Sequence, residues 1–260
     1  KKLNIFKNDL KVNFDIKEIY LDKDNVLYDL FGNLNLVNNK IFELNLNSNF
    51  SNKENIKLTI SNNGKDQITT LFSNRAKPLV GRYKFIKGFN EGSLDFYSVK
   101  RNNESKSLLK IYDFKLKELP VLTKILTLAS LQGIADLLSG EGIGFNEFEM
   151  NFSNKNDLIS IDEIYAIGPA ISILMDGYIE KNKIVSLRGT LVPATTINKT
   201  IGSIPLLGDI LVGKKVGEGV FGVSFKIKGP PKNLETTVNP VKTLTPRFIT
   251  RTLEKIGKKN

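Results

Sequence analysis

The sequence contains no cysteine, no histidine and no tryptophan. Without histidine, the chain has no Ser-His-Asp triad, no Cys-His pair and no imidazole general base near neutral pH. Without histidine and cysteine, it has no zinc finger, no typical catalytic zinc site, no His- or Cys-ligated haem and no iron–sulfur cluster. Disulfide bonds are excluded as well. The chemistry that remains is that of carboxylates, lysines and hydroxyls, or none.

The charge balance is basic but indicates little about function. The chain of 260 residues carries 38 Lys+Arg and 27 Asp+Glu, a formal net charge of +11. Such a balance can attract nucleic acid, anionic lipid or acidic partners. However, Lys and Asn are abundant while Ala is scarce, which is a bias of AT-rich codons, and along the predicted strands the lysines are spread singly. We interpret the charge as a solvated face and predict no nucleic-acid partner.

Long hydrophobic runs are also lacking. A transmembrane helix needs about 20 apolar residues, and the most apolar stretch, residues 120–138, is interrupted by Lys124, Gln132 and Asp136. The chain begins at Lys1 instead of Met and shows no signal-peptide pattern. We therefore expect a fragment of a longer protein whose anchor or export signal precedes Lys1.

Alternation of apolar and polar residues dominates the sequence. This period of two is typical of an antiparallel sheet with one apolar face and one wet face. Asn- and Gly-containing joints between the alternating segments indicate hairpins, so the first third is predicted to be a meander. The alternation is clearest at Leu10, Val12, Phe14 and Ile16; at Phe42, Leu44 and Leu46; at Ile56, Leu58 and Ile60; and at Phe221, Val223, Phe225 and Ile227.

Three helices are predicted among the strands. A short helix lies near residues 75–84, and an apolar helix runs from Pro120 to Leu138, with Pro120 at the start and Gly140 after its end. An amphipathic helix begins near Pro246 and is basic on one side. We expect one continuous β-rich unit: repeating strands over 1–118, the apolar helix over 119–140, and strands with the terminal helix over 141–260.

Three local patterns resemble catalytic motifs and fail on inspection. The segment 208–215 matches seven positions of a phosphate-binding loop, but Lys215 replaces the magnesium-binding hydroxyl. Asp162 and Glu163 are adjacent on a strand and therefore point to opposite faces. Asp136 and Glu141 are interpreted as surface carboxylates. We expect no enzyme activity and no cofactor or metal.

Many of the predicted strands have one apolar face and one polar face, and the sequence must also provide something that covers the apolar face. An apolar sheet face must be covered, and three short helices cannot cover a long sheet. The sheet must close on itself, pair with a second sheet, or curl into a trough that holds an apolar ligand. Periodicity alone leaves these three arrangements open.

Several segments of the sequence follow one another in a recognisable order. They are FKLKELPVLTKILTLASLQG at 114–133, LSGEGIGF at 138–145, GTLVPATTIN at 189–198, IPLLGDILVG at 204–213, GEGVFG at 217–222, VNP at 238–240 and LTP at 244–246. Their order and spacing resemble the C-terminal region of large AsmA-like proteins of Gram-negative bacteria, of the AsmA/TamB superfamily and the alphaproteobacterial type. The resemblance extends from about Arg75 to Ile256, whereas the first strands match only in alternation.

The resemblance implies a long, twisted antiparallel sheet curled into a U-shaped apolar groove. It implies a periplasmic conduit in which phospholipid acyl chains move between the inner and outer membranes. The chain would be tethered to the inner membrane upstream, with its C-terminus towards the outer membrane, where an outer-membrane protein is a further expected partner. No catalytic residues come with this family.

Two groups of candidate site residues follow from the alternation and the resemblance. The expected lining of the groove is Leu30, Phe42, Leu58, Phe96, Ile111, Phe145, Phe148, Ile161, Val223 and Phe225. The expected docking surface for a membrane or partner is the terminal helix, with Phe248, Arg251, Leu253 and Lys255.

Two other classes of function stay open at the level of sequence. One is a β-rich binding or structural module with a closed core for a protein or glycan partner. The other is a hydrolase with two carboxylates within roughly 5–10 Å of each other in a cleft.

Overall fold

A single antiparallel sheet of thirteen strands makes up most of the described chain, and its strands are hydrogen-bonded in sequence order without a crossover. The computed structural model describes residues 9–50, 54–81, 88–117, 119–193, 222–241 and 251. The strands are β1 (Leu10–Tyr20), β2 (Val26–Val37), β3 (Lys40–Asn49), β4 (Asn55–Asn62), β5 (Gln67–Ser73), β6 (Asn90–Arg101), β7 (Glu104–Leu116), β8 (Ile143–Lys155), β9 (Leu158–Ile167), β10 (Ile171–Glu180), β11 (Ile184–Pro193), β12 (Gly222–Gly229) and β13 (Glu235–Val241). The predicted mostly β, antiparallel fold is confirmed.

Short turns join the strands at one end of the sheet. The turn between β2 and β3 consists of Asn38 and Asn39, with φ of 51° and 58°. Asn102, Asn156 and Asn182 occupy the left-handed region in later turns at the same end. Two-residue hairpin turns favour positive φ, which asparagine tolerates better than most residues. The asparagine-rich joints of the sequence therefore close the hairpins.

The described helices lie at the other end of the sheet, within connections between strands. Helix α1 (Lys77–Val80) joins β5 to β6, and it is a single turn within the predicted range 75–84. Helices α2 (Pro120–Leu128) and α3 (Gln132–Ser139) both lie between the paired strands β7 and β8. Among the described residues, no helix is long and apolar enough to cross a membrane.

The prediction of one apolar helix over 120–138 was wrong in its continuity. Ser130 has φ of 60°, and the chain reverses there. The Leu131 amide donates to the Leu126 carbonyl at 2.8 Å, and the Ser130 amide donates to the Thr127 carbonyl at 3.0 Å. This pair of bonds is the Schellman motif that ends a helix. Because Ser instead of Gly occupies the left-handed position, the sequence carried no signal for the break.

The terminal helix predicted near Pro246 lies outside the described residues except for Arg251. The phosphate-loop-like segment 208–215 also lies outside them.

Candidate functional site on the apolar face of the sheet

One unbroken row of apolar residues and glycines crosses the whole sheet. Each member is paired directly with the next across neighbouring strands, so the row runs perpendicular to the strands. We call this set the apolar row: Phe14, Gly32, Leu46, Leu58, Leu71, Phe96, Leu109, Met150, Ile164, Met175, Gly189, Phe225 and Val238. It contains no polar side chain.

A second row runs beside the apolar row, towards the end with the short turns, and is apolar except in three central strands and at Thr236 on the edge strand β13. In the central strands it carries Thr69, Ser98 and Ser107, which are direct partners in the sheet. The Ser107 hydroxyl donates to the Ser98 hydroxyl at 2.9 Å, and both residues are buried. A buried hydroxyl costs free energy unless it is hydrogen-bonded, so this bond lowers the cost of the polar interruption. The face therefore stays largely apolar over a width of at least two rows.

The structure brings nearly all the expected lining residues to this face. Leu58, Phe96 and Phe225 belong to the apolar row itself. Ile111 and Phe148 are direct partners, Ile161 pairs with Phe152, and Val223 pairs with Leu191. Leu30 pairs with Ile16 and is buried.

Phe42 is an expected lining residue that has no regular pairing partner between β2 and β3. It falls at the register shift between β2 and β3, where Asn35 pairs with Glu43 and Leu36 pairs with Ile41. Its exposed fraction is 43%. Phe42 is therefore a largely accessible apolar side chain at an irregular point of the sheet.

Phe145 and Phe148 share a side of the sheet although their spacing is odd. Phe114 contacts both rings, with centroids 5.4 Å from Phe145 in a stacked pair and 6.4 Å from Phe148 edge to face. Its neighbour Asp113 has φ of 50°, which interrupts the alternation in β7 without changing its register with β8. Phe89 stacks on Phe114 at 5.3 Å. This local change of parity brings Phe89, Phe114, Phe145 and Phe148 together in an aromatic cluster.

Helices α2 and α3 cover part of the apolar face. Leu122, Ile125 and Leu126 of α2 and Ala135 and Leu138 of α3 are buried in one cluster with residues of β6 to β12. Helix α2 also contacts β13. The strand members of this cluster are Leu94, Ile111, Phe114, Ile143, Phe145, Ala166, Ile171, Leu191, Phe225 and Ile227.

The other part of the apolar face, on β1 to β4, contributes no residue to that cluster. Phe14, Leu46 and Leu58 of the apolar row are only half-buried. Ile16, on the same face, is 40% exposed. Within the part of the chain that the structure describes, no helix packs into a buried cluster with these strands.

The opposite face is the more polar of the two, although exposed aromatic side chains such as Phe72 and Tyr97 also lie on it. It carries a buried ionic cluster. Arg251 Nη2 donates to Glu149 Oε1 at 2.8 Å, and Arg251 Nε lies 2.7 Å from Glu163 Oε1. The guanidinium carbon lies 5.4 Å from the centroid of the Tyr165 ring, which is fully buried. Lys110, the cross-strand partner of Glu149, places Nζ 3.3 Å from Glu149 Oε2. We call these five residues the Arg251 cluster.

The Arg251 cluster keeps Glu149 ionised. Burial alone would raise the pKa of Glu149, but the hydrogen bond and charge of Arg251 oppose it, helped by Asn151 and Lys110, and lower the pKa to about 2. A carboxylate held this firmly in its charged form is poorly suited to act as a general acid or base near neutral pH. The cluster therefore has the character of a structural ion-pair network.

No family model, no curated protein and no solved structure matches the chain. The AsmA-like resemblance therefore stays a prediction that depends on the sequence segments. No group of three or more acidic side chains in the described part of the chain is arranged to hold a metal ion.

Sequence reasoning missed the Arg251 cluster. Arg251 and Glu149 are 102 residues apart, and the sequence treated Arg251 only as part of an external docking surface. That docking role stays a prediction, and the Arg251 guanidinium is engaged within the chain. Phe248, Leu253 and Lys255 lie outside the described residues. The one available signal was the alternation of Met150 with Glu149, which assigns Glu149 to the polar face.

Proposed function

We propose that this chain is a non-enzymatic conduit whose apolar face carries phospholipid acyl chains. The observation that carries the proposal is the apolar row, which crosses all thirteen strands without a polar side chain. Neighbouring strands lie about 4.8 Å apart, so the row extends for roughly 60 Å along the sheet. This length is about twice the 30 Å hydrocarbon thickness of a bilayer.

The chemistry of the row suits movement better than fixed binding. Each acyl methylene that leaves water for an apolar surface gains about 0.8 kcal/mol. Because the row offers similar aliphatic and aromatic side chains at every strand, successive positions along it are similar in energy. A hydrocarbon chain could then shift along the row without meeting a charged or strongly polar side chain on it. Head groups would stay in water beside the sheet.

The curled shape belongs to the same proposal. Strands in a sheet twist relative to their neighbours by about 20–25°, and bulges bend the strands that contain them. Register shifts occur between Tyr28 and Phe31, between Asn151 and Phe152, and between Met175 and Gly177. Twist and bulges together support a long sheet that curves around its apolar face into a U-shaped groove.

The setting that we propose is the envelope of a Gram-negative bacterium. It depends on the resemblance of the sequence segments to AsmA-like proteins. The chain would lie in the periplasm between inner and outer membranes, held to the inner membrane by a segment upstream of Lys1. The terminal segment, with Phe248, Leu253 and Lys255, would dock on the outer membrane or on a protein in it.

A closed-core binding module is the second candidate, and the buried cluster over β6 to β12 favours it. In such a module the apolar face would be sealed by protein, and no lipid would bind. The two functions therefore differ in one measurable property, which is the amount of lipid on the purified chain.

Native mass spectrometry tests the proposal directly. The chain is purified after expression with an export signal, incubated with vesicles of phosphatidylethanolamine and phosphatidylglycerol, and separated from them. We expect mass increments of intact phospholipid that disappear after organic extraction. A chain that stays folded and carries no phospholipid before or after incubation contradicts the conduit and supports the closed module.

A further inference from the structure

The apolar face is divided into a helix-covered part and a part that no described helix covers. Phe225 of the apolar row is 3% exposed and shares a buried cluster with Leu122 and Ile125 of α2. Leu58 of the same row is half-buried and lies outside that cluster. The two residues have the same kind of position in the sheet, so the difference between them comes from what covers them.

The cover on β6 to β13 consists of aliphatic side chains from the chain itself. Helix α2 begins shortly after β7, the Schellman motif at Ser130 reverses the chain, and α3 leads back into β8. We call the segment Pro120–Ser139 the helical hairpin. It is inserted between two directly paired strands and adds to the sheet without interrupting it.

The covered part shows which chemistry this face accepts. The buried side chains of the helical hairpin are Leu122, Ile125, Leu126, Ala135 and Leu138, all of them hydrocarbon. The apolar row continues from this interface onto β1 to β4 with the same kind of residue. A surface that packs against leucine and isoleucine in one part is suited to hydrocarbon in the part that continues it.

We propose that the helical hairpin is a plug that closes the lipid path, and that acyl chains of diacyl phospholipids bind only on the β1 to β4 part of the apolar face. The helical hairpin occupies on β6 to β13 the position that acyl chains occupy on β1 to β4. Five of the ten residues that the sequence assigned to lipid pack in or against the cluster that contains the helical hairpin, namely Phe96, Ile111, Phe145, Phe148 and Phe225. This inference rests on the proposed function, and it adds the position on the sheet at which the lipid path ends.

Site-specific photocrosslinking tests the division. A benzophenone amino acid is introduced singly at Leu58 on the open part, and at Phe225 or Val238 on the part that the plug covers. Matched controls carry the same probe at Thr59 and Ser224, which are adjacent in sequence and lie on the polar face. Each chain is incubated with vesicles of phosphatidylethanolamine and phosphatidylglycerol, irradiated, and weighed by mass spectrometry, with circular dichroism to confirm that it is folded.

We expect Leu58 to crosslink to phospholipid at least tenfold more than Thr59, and Phe225 and Val238 to crosslink no more than Ser224. Crosslinks of similar yield at Leu58, Phe225 and Val238 overturn the plug but leave the conduit standing. Crosslinks at Phe225 or Val238 without Leu58 also overturn the plug. No crosslink at any of the three positions overturns both. Val238 is only partly buried, so it keeps the test decisive if the Phe225 variant does not fold.

Discussion

Arg251 Nη2 donates a hydrogen bond to Glu149 Oε1 at 2.8 Å, and the two side chains are 19% and 11% exposed. The bond joins the C-terminal segment to the middle of the sheet, on the face opposite the apolar row. Removing one partner of a buried ion pair leaves the other charge desolvated and uncompensated. The contact therefore links the stability of the sheet to a residue far away in sequence.

Replacing the guanidinium is expected to destabilise the fold. Arg251→Ala leaves Glu149 with Lys110 and Asn151 but leaves Glu163 without its arginine, and we expect a loss of about 3 kcal/mol in the free energy of unfolding. Urea unfolding followed by circular dichroism measures it. The control is Arg188→Ala, which removes an exposed ion pair with Asp176 and should change stability little. Equal losses in the two variants would show that the Arg251 cluster does not stabilise the chain.

The free energy of unfolding should depend on pH in the acidic range because of Glu149. Its pKa is about 2 in the folded chain, below the ordinary value of 4.5. A carboxyl with a lowered folded pKa contributes stability that is fully present above its unfolded pKa and is lost as the pH falls through the folded value. We expect the stability advantage of the native chain over Glu149→Gln to shrink between about pH 4.5 and pH 2. Urea midpoints of both chains across this range test it, and a constant difference would contradict it.

A charge on the open part of the apolar face should prevent lipid binding. Leu58→Lys places an ammonium in the apolar row, where an acyl chain would have to desolvate it. We expect at least a tenfold decrease in bound phospholipid, measured by native mass spectrometry. The control Thr59→Lys adds the same charge on the polar face and should bind lipid like the native chain. If both variants retain lipid equally, the apolar face is not the binding surface.

The Schellman motif predicts a stabilising substitution. Ser130 is left-handed, a conformation that costs an L-residue about 1 kcal/mol and glycine almost nothing. Ser130→Gly should therefore raise the free energy of unfolding by about 0.5 kcal/mol after the entropy of the more flexible unfolded chain is deducted. Thr127→Gly, inside α2, should lower it by a few tenths of a kcal/mol. Thermal unfolding distinguishes the two signs, and a loss in both variants would argue against the helix end at this position.

Substitution of Gly32 by any residue that has a Cβ should destabilise the fold. A Cβ at this position of the apolar row would lie 1.8 Å from the Asn45 carbonyl oxygen, which is backbone and cannot move away cheaply. We expect Gly32→Ala to cost about 3 kcal/mol or more, as for severe overpacking. Gly133→Ala in α3 meets no atom within 4 Å and should gain about 0.5–1 kcal/mol from helix propensity. Urea unfolding of the pair tests the contrast, and similar stability of both variants would contradict it.

The sequence predicted the parts of this fold that depend on local pattern. Alternation at Leu10, Val12 and Phe14 indicated both the strands and the apolar face, because the side-chain period of a strand is two. The asparagines at 102 and 103 indicated a turn. These features need only neighbouring residues.

Long-range features could not be predicted in the same way. The position of the helical hairpin depends on packing that joins α2 to β12 and β13. The end of α2 at Ser130 depends on a left-handed residue that is usually glycine. The contact of Arg251 with Glu149 joins two residues that are 102 positions apart in sequence. None of these three relationships produces a periodic pattern of apolar and polar residues in the sequence.

In-order pairing gives the sheet the additivity of a repeat protein. Each strand contacts mainly its two sequence neighbours, so stability is close to a sum of nearest-neighbour terms. Loss or gain of one complete hairpin would shorten or lengthen the apolar row by about 10 Å. In the remaining strands, the same side chains would still point to the apolar face. The length of the apolar row is therefore set by the number of hairpins. It could evolve in steps of two strands without any change to the apolar face of the remaining strands.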